Sequence, residues 1–139
     1  MKNTYTTNLD LRGLDFGLLI FRIAIAGLML THGFPKFTRF FGTEEITFGD
    51  PLGFGETFTF TFAVFAEFFC SVLIIFGFLT RIAAIPLIIT MGVAALVVHI
   101  PDGFAKQELP LLYMFGFILL LFSGPGKYSL DFFLSKRKK

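Results

Sequence analysis

Four stretches of this chain run at roughly membrane-span length with almost no charge. They lie at about Leu14–Thr31, Thr57–Phe78, Ile82–Ile100 and Leu109–Phe122. About 20 apolar residues in a helix cross the ~30 Å of hydrocarbon in a bilayer. Backbone polar groups in that medium must be satisfied within the spanning structure, so helices are the expected form. The expected fold is therefore all-α, an integral membrane four-helix bundle forming a single transmembrane domain over residues 1–139. One segment argues locally for a strand, since Thr57-Phe58-Thr59-Phe60-Thr61-Phe62 alternates with period two. It continues into Ala63-Val64-Phe65-Ala66 without a turn signal, and an open strand in lipid has no partners, so helix is favoured.

Breakers mark the span ends. Gly33 and Pro35 are expected to close the first span, and Gly77-Phe78-Leu79-Thr80 the second. Pro86 is expected to kink the third. The fourth uncharged run is short enough that a re-entrant helix competes. Ala24-Ile25-Ala26 mimics a leader cleavage site, but Arg22 interrupts the apolar region before it, so the segment reads as a retained span. The long connection from Gly33 to Glu56 is rich in Gly and Phe. Two readings stand for it: folded back on the mouth of the bundle, or flexible on the membrane surface. Gly124-Pro125-Gly126 breaks the fourth helix. The aromatic and basic residues after it read as an interfacial segment.

Hydrophobic residues make up 55% of the 139. Four spans and their connections use the whole length, which leaves no expected domain for a large cofactor such as a flavin dinucleotide. The net charge of +2 does not point to nucleic acid, because five of the twelve basic residues cluster in the tail. A basic tail beside a span fits anionic lipid headgroups. With one cysteine, Cys70, neither an internal disulfide nor a Cys-x-x-Cys pair can form. Nucleotide-binding glycine motifs are absent, as is a haem-attachment sequence.

Positive charge sets the expected orientation. With four spans, Lys2, Arg12, Arg81, Lys127, Lys136, Arg137, Lys138 and Lys139 share one side, against Lys36, Arg39 and Lys106 on the other. That bias places both termini in the cytoplasm.

Two charges stand inside spans. Arg22 falls near the middle of the first and Glu67 near the middle of the second. A charge at the bilayer centre costs about 2.5–3.5 kcal/mol on insertion scales, and intramembrane ionisable groups are functional candidates. Antiparallel helices put the two at matched depth, which predicts a partnership. Ala63, Cys70 and Ser71 share the Glu67 face and permit close helix approach. The pair reads either as a structural ion pair or as a proton or substrate site. A second group, His32, Lys36, His99 and Glu108, gathers at the other mouth. Together these four suit an anion, a quinone headgroup or a metal; individually each reads as an ordinary interfacial side chain. Sharper versions are a haem held between His32 and His99, and a two-histidine, one-carboxylate metal site with Glu108.

The residues resemble the DoxX family. Arg22, then Gly27-Leu28, His32-Gly33 and Lys36-Phe37 match its first span. Ala66-Glu67 and Gly77-Phe78-Leu79-Thr80-Arg81-Ile82-Ala83-Ala84 match its second span and turn. His99, Glu108 and Gly124-Pro125-Gly126-Lys127-Tyr128-Ser129-Leu130-Asp131 follow. The family often has Gly-Gly where this chain has Phe69-Cys70-Ser71, so packing there is expected to be looser or shifted. The resemblance implies a four-helix protein of the bacterial inner membrane. A related branch, with DoxD and DoxA, forms subunits of thiosulfate:quinone oxidoreductase, and other members are linked to membrane-associated oxidoreductase complexes. The expected function is thus a membrane subunit of a redox system. It would act with a quinone or a small sulfur-containing reductant and a membrane or soluble oxidoreductase partner. The rival is a non-enzymatic scaffold, assembly partner or small-solute transporter.

Overall fold

The computed structural model describes residues 10–137, and they form helices and connections with no strand among them. The basic residues Lys2, Lys138 and Lys139 lie outside the described residues. Helix α1 runs Leu11–Phe40, and the Asp10 side chain accepts from the Arg12 N–H at 3.1 Å to cap it. Gly33 and Pro35 do not end this helix, contrary to the expectation from sequence. Membrane helices tolerate such residues when neighbouring helices and side chains compensate the backbone. Gly33 is buried, and a Cβ there would overlap the Glu67 carbonyl, so the glycine marks a close helix crossing.

The second span is one continuous rod, Glu56–Phe76. It comprises α2 (Glu56–Val64), a π-helical turn (Phe65–Cys70) and α3 (Ser71–Phe76). The Thr-Phe alternation is helical, as lipid burial requires. The π turn falls where the chain departs from the family's glycines. α4 (Thr80–Val93) passes through Pro86 and ends in a second π turn, Ala94–Val98. α5 (Phe104–Ser123) starts before the uncharged run and reaches 20 residues, enough to cross. All four rods are long and apolar enough to span a membrane. α6 (Leu130–Arg137) is short and buries none of its residues.

Small residues set the packing. Ala26, Ala66, Ala84 and Ala95 are fully buried beside Met29, Ile74, Leu87, Phe117 and Leu120. α4 packs most extensively on α5, and α1 on the second span. α2 packs on α1 and its own π turn, while the third span meets the second chiefly at that π turn and α3. Spans two and three therefore diverge towards loop one.

The register between α1 and the second span places Gly33 against Glu67, and Arg22 against Gly77. Thus the first turns of α1 run past the end of the second span. They meet the segment after α5: Asp15 accepts from the Lys127 N–H at 3.1 Å, and its carboxylate stands 3.6 Å from the Lys127 ammonium. Asp131 joins the same end. Its carboxylate accepts from the N–H groups of Leu79 and Thr80, at 2.8 and 3.0 Å, and caps α4. Leu79 sits at φ 49°, a left-handed conformation this cap supports. Both described ends of the chain thus meet at one end of the bundle.

At the opposite end, loop one folds back. The Arg39 guanidinium donates to the Thr47 carbonyl and hydroxyl at 3.0 and 2.7 Å. The Asp50 carboxylate accepts from the N–H groups of Phe54 and Gly55 and from the Thr59 hydroxyl. These bonds hold Asp50 below its usual carboxylate range, the Gly55 N–H contributing most.

Candidate functional site

Glu67 needs a cation, because a buried carboxylate in an apolar bundle is costly unless paired. The sequence nominated Arg22, and the structure corrects this: the partner is Lys36. Its ammonium donates to both Glu67 oxygens, at 2.6 and 2.5 Å. The Glu67 side chain is 4% exposed and that of Lys36 29%. Arg22 is 1% exposed but donates to the carbonyls of Pro125 and Tyr128, at 2.6 and 2.8 Å. The register explains the error. The eleven residues from Arg22 to Gly33, which packs on Glu67, place the two levels ~16 Å apart at 1.5 Å per residue. The extension of α1 through Gly33 and Pro35 also carries Lys36 out of the loop and into the helix.

The pair closes one wall of a cavity of about 560 Å³. Spans two and three form its sides, through Phe58, Phe62 and Ala63 and through Ile89, Thr90, Val93, Ala94 and Val98. Loop one roofs it with Phe48, Pro51, Leu52 and Phe54, and His99 stands at its edge. α5 contributes nothing to the lining. The lining is mainly apolar with a few convergent polar groups, the usual make-up of a small-molecule site. Both π turns border it: Glu67 lies within the first, and His99 terminates the second, donating its N–H to the Ala94 carbonyl at 3.0 Å. π turns inside helices occur frequently at functional sites. Phe37 stacks on Phe68, with ring centroids 4.0 Å apart, and stiffens the helix crossing beside Lys36.

The expected constellation is therefore reassembled. Lys36, Glu67 and His99 share the cavity. His32 instead meets the edge of Tyr113 on α5, at 5.9 Å between centroids, and Glu108 is exposed on α5. Both fall outside because spans two and three frame the cavity. The two histidines do not face one channel, which removes the geometry a haem between them needs. Among the described residues no three His, Cys, Asp or Glu side chains gather to hold a metal ion, so the two-histidine, one-carboxylate site is also corrected. Cys70 is buried in the core, as its apolar setting implies.

Three residues escaped the sequence reading. Asp102 accepts from His99 Nδ1 at 2.9 Å, and its place three residues after the histidine was a legible signal. Asp50 fixes the roof. Thr90 lines the cavity, although its hydroxyl donates to the Pro86 carbonyl at 2.8 Å.

The DoxX family model matches residues 17–100. The chain is 33% identical to the inner membrane protein YqjF of Escherichia coli over 130 residues, covering 88% of this chain and 95% of that one. It is 33% identical to the inner membrane protein YphA of the same organism, covering 87% and 96%. An uncharacterized membrane protein of Mycobacterium tuberculosis is 40% identical over 87 residues, about half of each chain. No solved structure gives a significant match.

Proposed function

The chain belongs to the DoxX family of multi-pass bacterial inner-membrane proteins, and from that premise we propose that it is a membrane subunit of a redox system, binding the headgroup of a lipid-soluble quinone beside Lys36. The observation that carries this reading is the Lys36–Glu67 pair set in the wall of an apolar cavity. The pair is neutral as a whole, so it suits a neutral carbonyl better than an anion. Lys36 has three N–H donors and gives two to Glu67, which leaves one for a ligand oxygen. A volume of about 560 Å³ accommodates a small aromatic headgroup. Phe58, Ile89 and Val98 line the cavity and are exposed, which leaves an opening between spans two and three for an isoprenoid tail.

Reduction of a quinone to a quinol takes two electrons and two protons. The electrons come from an oxidoreductase partner. This chain supplies the binding site and groups able to hold a proton beside the quinone oxygens. The termini are assigned to the cytoplasm by the positive-charge bias, which puts the roofed cavity towards the other face of the membrane.

The test is purification in mild detergent, with mass spectrometry of bound lipids and titration of the stripped protein with decylubiquinone and a short-chain menaquinone. The wild type should retain or bind a quinone, and Lys36→Met should weaken that at least tenfold. A protein that binds neither but copurifies with a soluble partner supports the scaffold reading instead. Solute flux in proteoliposomes abolished by Glu67→Gln supports a transporter.

A further inference from the structure

At the edge of the cavity an imidazole and a carboxylate form a local pair. His99 ends the third span and Asp102 lies in the turn that follows, its N–H donating to the His99 carbonyl at 3.2 Å. Their side chains meet at 2.9 Å, and both are partly exposed, 32% for His99 and 39% for Asp102. An ionised carboxylate only accepts hydrogen bonds, so the Nδ1 of His99 must carry the proton between them. Asp102 is held below its usual range, first by that bond and then by the Lys106 charge 4.0 Å away. It therefore stays ionised at neutral pH. With Nδ1 committed, Nε2 is the ring nitrogen left to act as a base. His99 lines the same cavity as Lys36 and Glu67.

We propose that Asp102 is a positioning residue that fixes His99 as the Nδ1–H tautomer, so that Nε2 exchanges protons between the cavity ligand and water at the loop-one end of the bundle. The identity of that ligand rests on the quinone reading above. For a quinol in the cavity, one hydroxyl proton passes to Nε2 as two electrons leave for the oxidoreductase partner. The second proton is released to water, and the imidazolium then gives its Nε2 proton to water while Nδ1–H stays on Asp102, which restores the starting tautomer. The reverse sequence serves reduction. The charges around the imidazole are Asp102 in its own turn, Lys106 on α5, Lys36 on α1 and Glu67 on the second span. Asp102 is the one that bonds it.

Nitrogen-15 NMR of full-length protein in nanodiscs tests this directly. The chain has two histidines, so labelled histidine in a His32→Gln background reports His99 alone. The neutral ring should show the Nδ1–H tautomer. Asp102→Asn should shift it towards Nε2–H, because Nδ1–H loses its anionic acceptor. Added decylubiquinol should move the Nε2 signal in the parent and not in Asp102→Asn. An Nε2–H tautomer in the parent, or a tautomer that Asp102→Asn leaves unmoved, overturns the proposal. So does quinol that binds in a Lys36-dependent manner without moving Nε2, and the quinone reading survives that result. If quinol does not bind at all, the quinone reading falls, and the tautomer alone decides the role of Asp102.

Discussion

At the scale of single residues, the Lys36–Glu67 pair is asymmetric. Glu67 is buried, whereas part of Lys36 is exposed and its flexible stem can move to carry the ammonium out. Removing one member of a buried pair strands the other charge and costs about 3–5 kcal/mol. Lys36→Met should lose about that much, measured by unfolding in one fixed detergent. Glu67→Gln should lose less, since the ammonium left behind can reach water. The double variant should be more stable than Lys36→Met alone. Strictly additive losses would show that the two groups do not depend on each other. Arg22 follows different rules, because its partners are carbonyls. A lysine cannot reproduce a fork spanning Pro125 and Tyr128. Arg22→Lys should therefore loosen the segment after α5, read as faster proteolysis at residues 124–137, while leaving ligand binding at the distant cavity unchanged.

At the scale of elements, helix ends and crossings depend on particular contacts. Asp131 reaches across from the segment after α5 to cap α4, with two backbone N–H groups on one carboxylate. Caps of this kind contribute about 0.5–2 kcal/mol. Asp131→Ala should destabilise by that order and raise hydrogen exchange at Leu79 and Thr80. Exchange confined to α6 would show that the cap is not what orders the turn. At the other end, Gly33→Val should be far more damaging than its size suggests, because α1 and the π turn touch through their backbones there. Gly77 is constrained twice: its φ is 68°, and a Cβ would meet both Ser129 and the Arg22 guanidinium.

At the scale of the whole molecule, the two ends differ in how they respond to pH and to membrane side. The roof over the cavity hangs on Asp50, whose carboxylate titrates below its ordinary value of 3.8 in the folded chain. A depressed carboxylate contributes its full stabilisation above the unfolded value and loses it as pH falls through the folded one. Loop one should therefore stay protected from exchange at neutral pH and open in acid. Asp50→Asn should abolish that acid step; its survival would assign the opening to another group. Membrane side is tested by labelling. In a Cys70→Ala background, Ser135→Cys should react only with reagent on the cytoplasmic side, and Glu45→Cys only from outside. The opposite result reverses the orientation read from basic residues.

The four spans, the helical state of the Thr-Phe run and the family were all legible along the chain. Each follows from local physics: hydrocarbon thickness, backbone satisfaction in lipid and short motifs. The inward face of Glu67, with Ala63, Cys70 and Ser71, was legible for the same reason, since helical periodicity is local. What the sequence could not reveal was register. Counting from the ends of uncharged runs set Arg22 level with Glu67. The structure instead slides α1 past the end of the second span, stops Arg22 beneath the C-terminal segment and lifts Lys36 to the carboxylate. That offset depends on Gly33 meeting the π turn and on Asp131 closing the far end, contacts between residues far apart in the chain. The identity of the charged pair, the cavity that Lys36 shares with His99 and the exclusion of His32 and Glu108 from it all follow from tertiary packing, because a shift of a few turns costs little in local propensity and changes every partner across the interface.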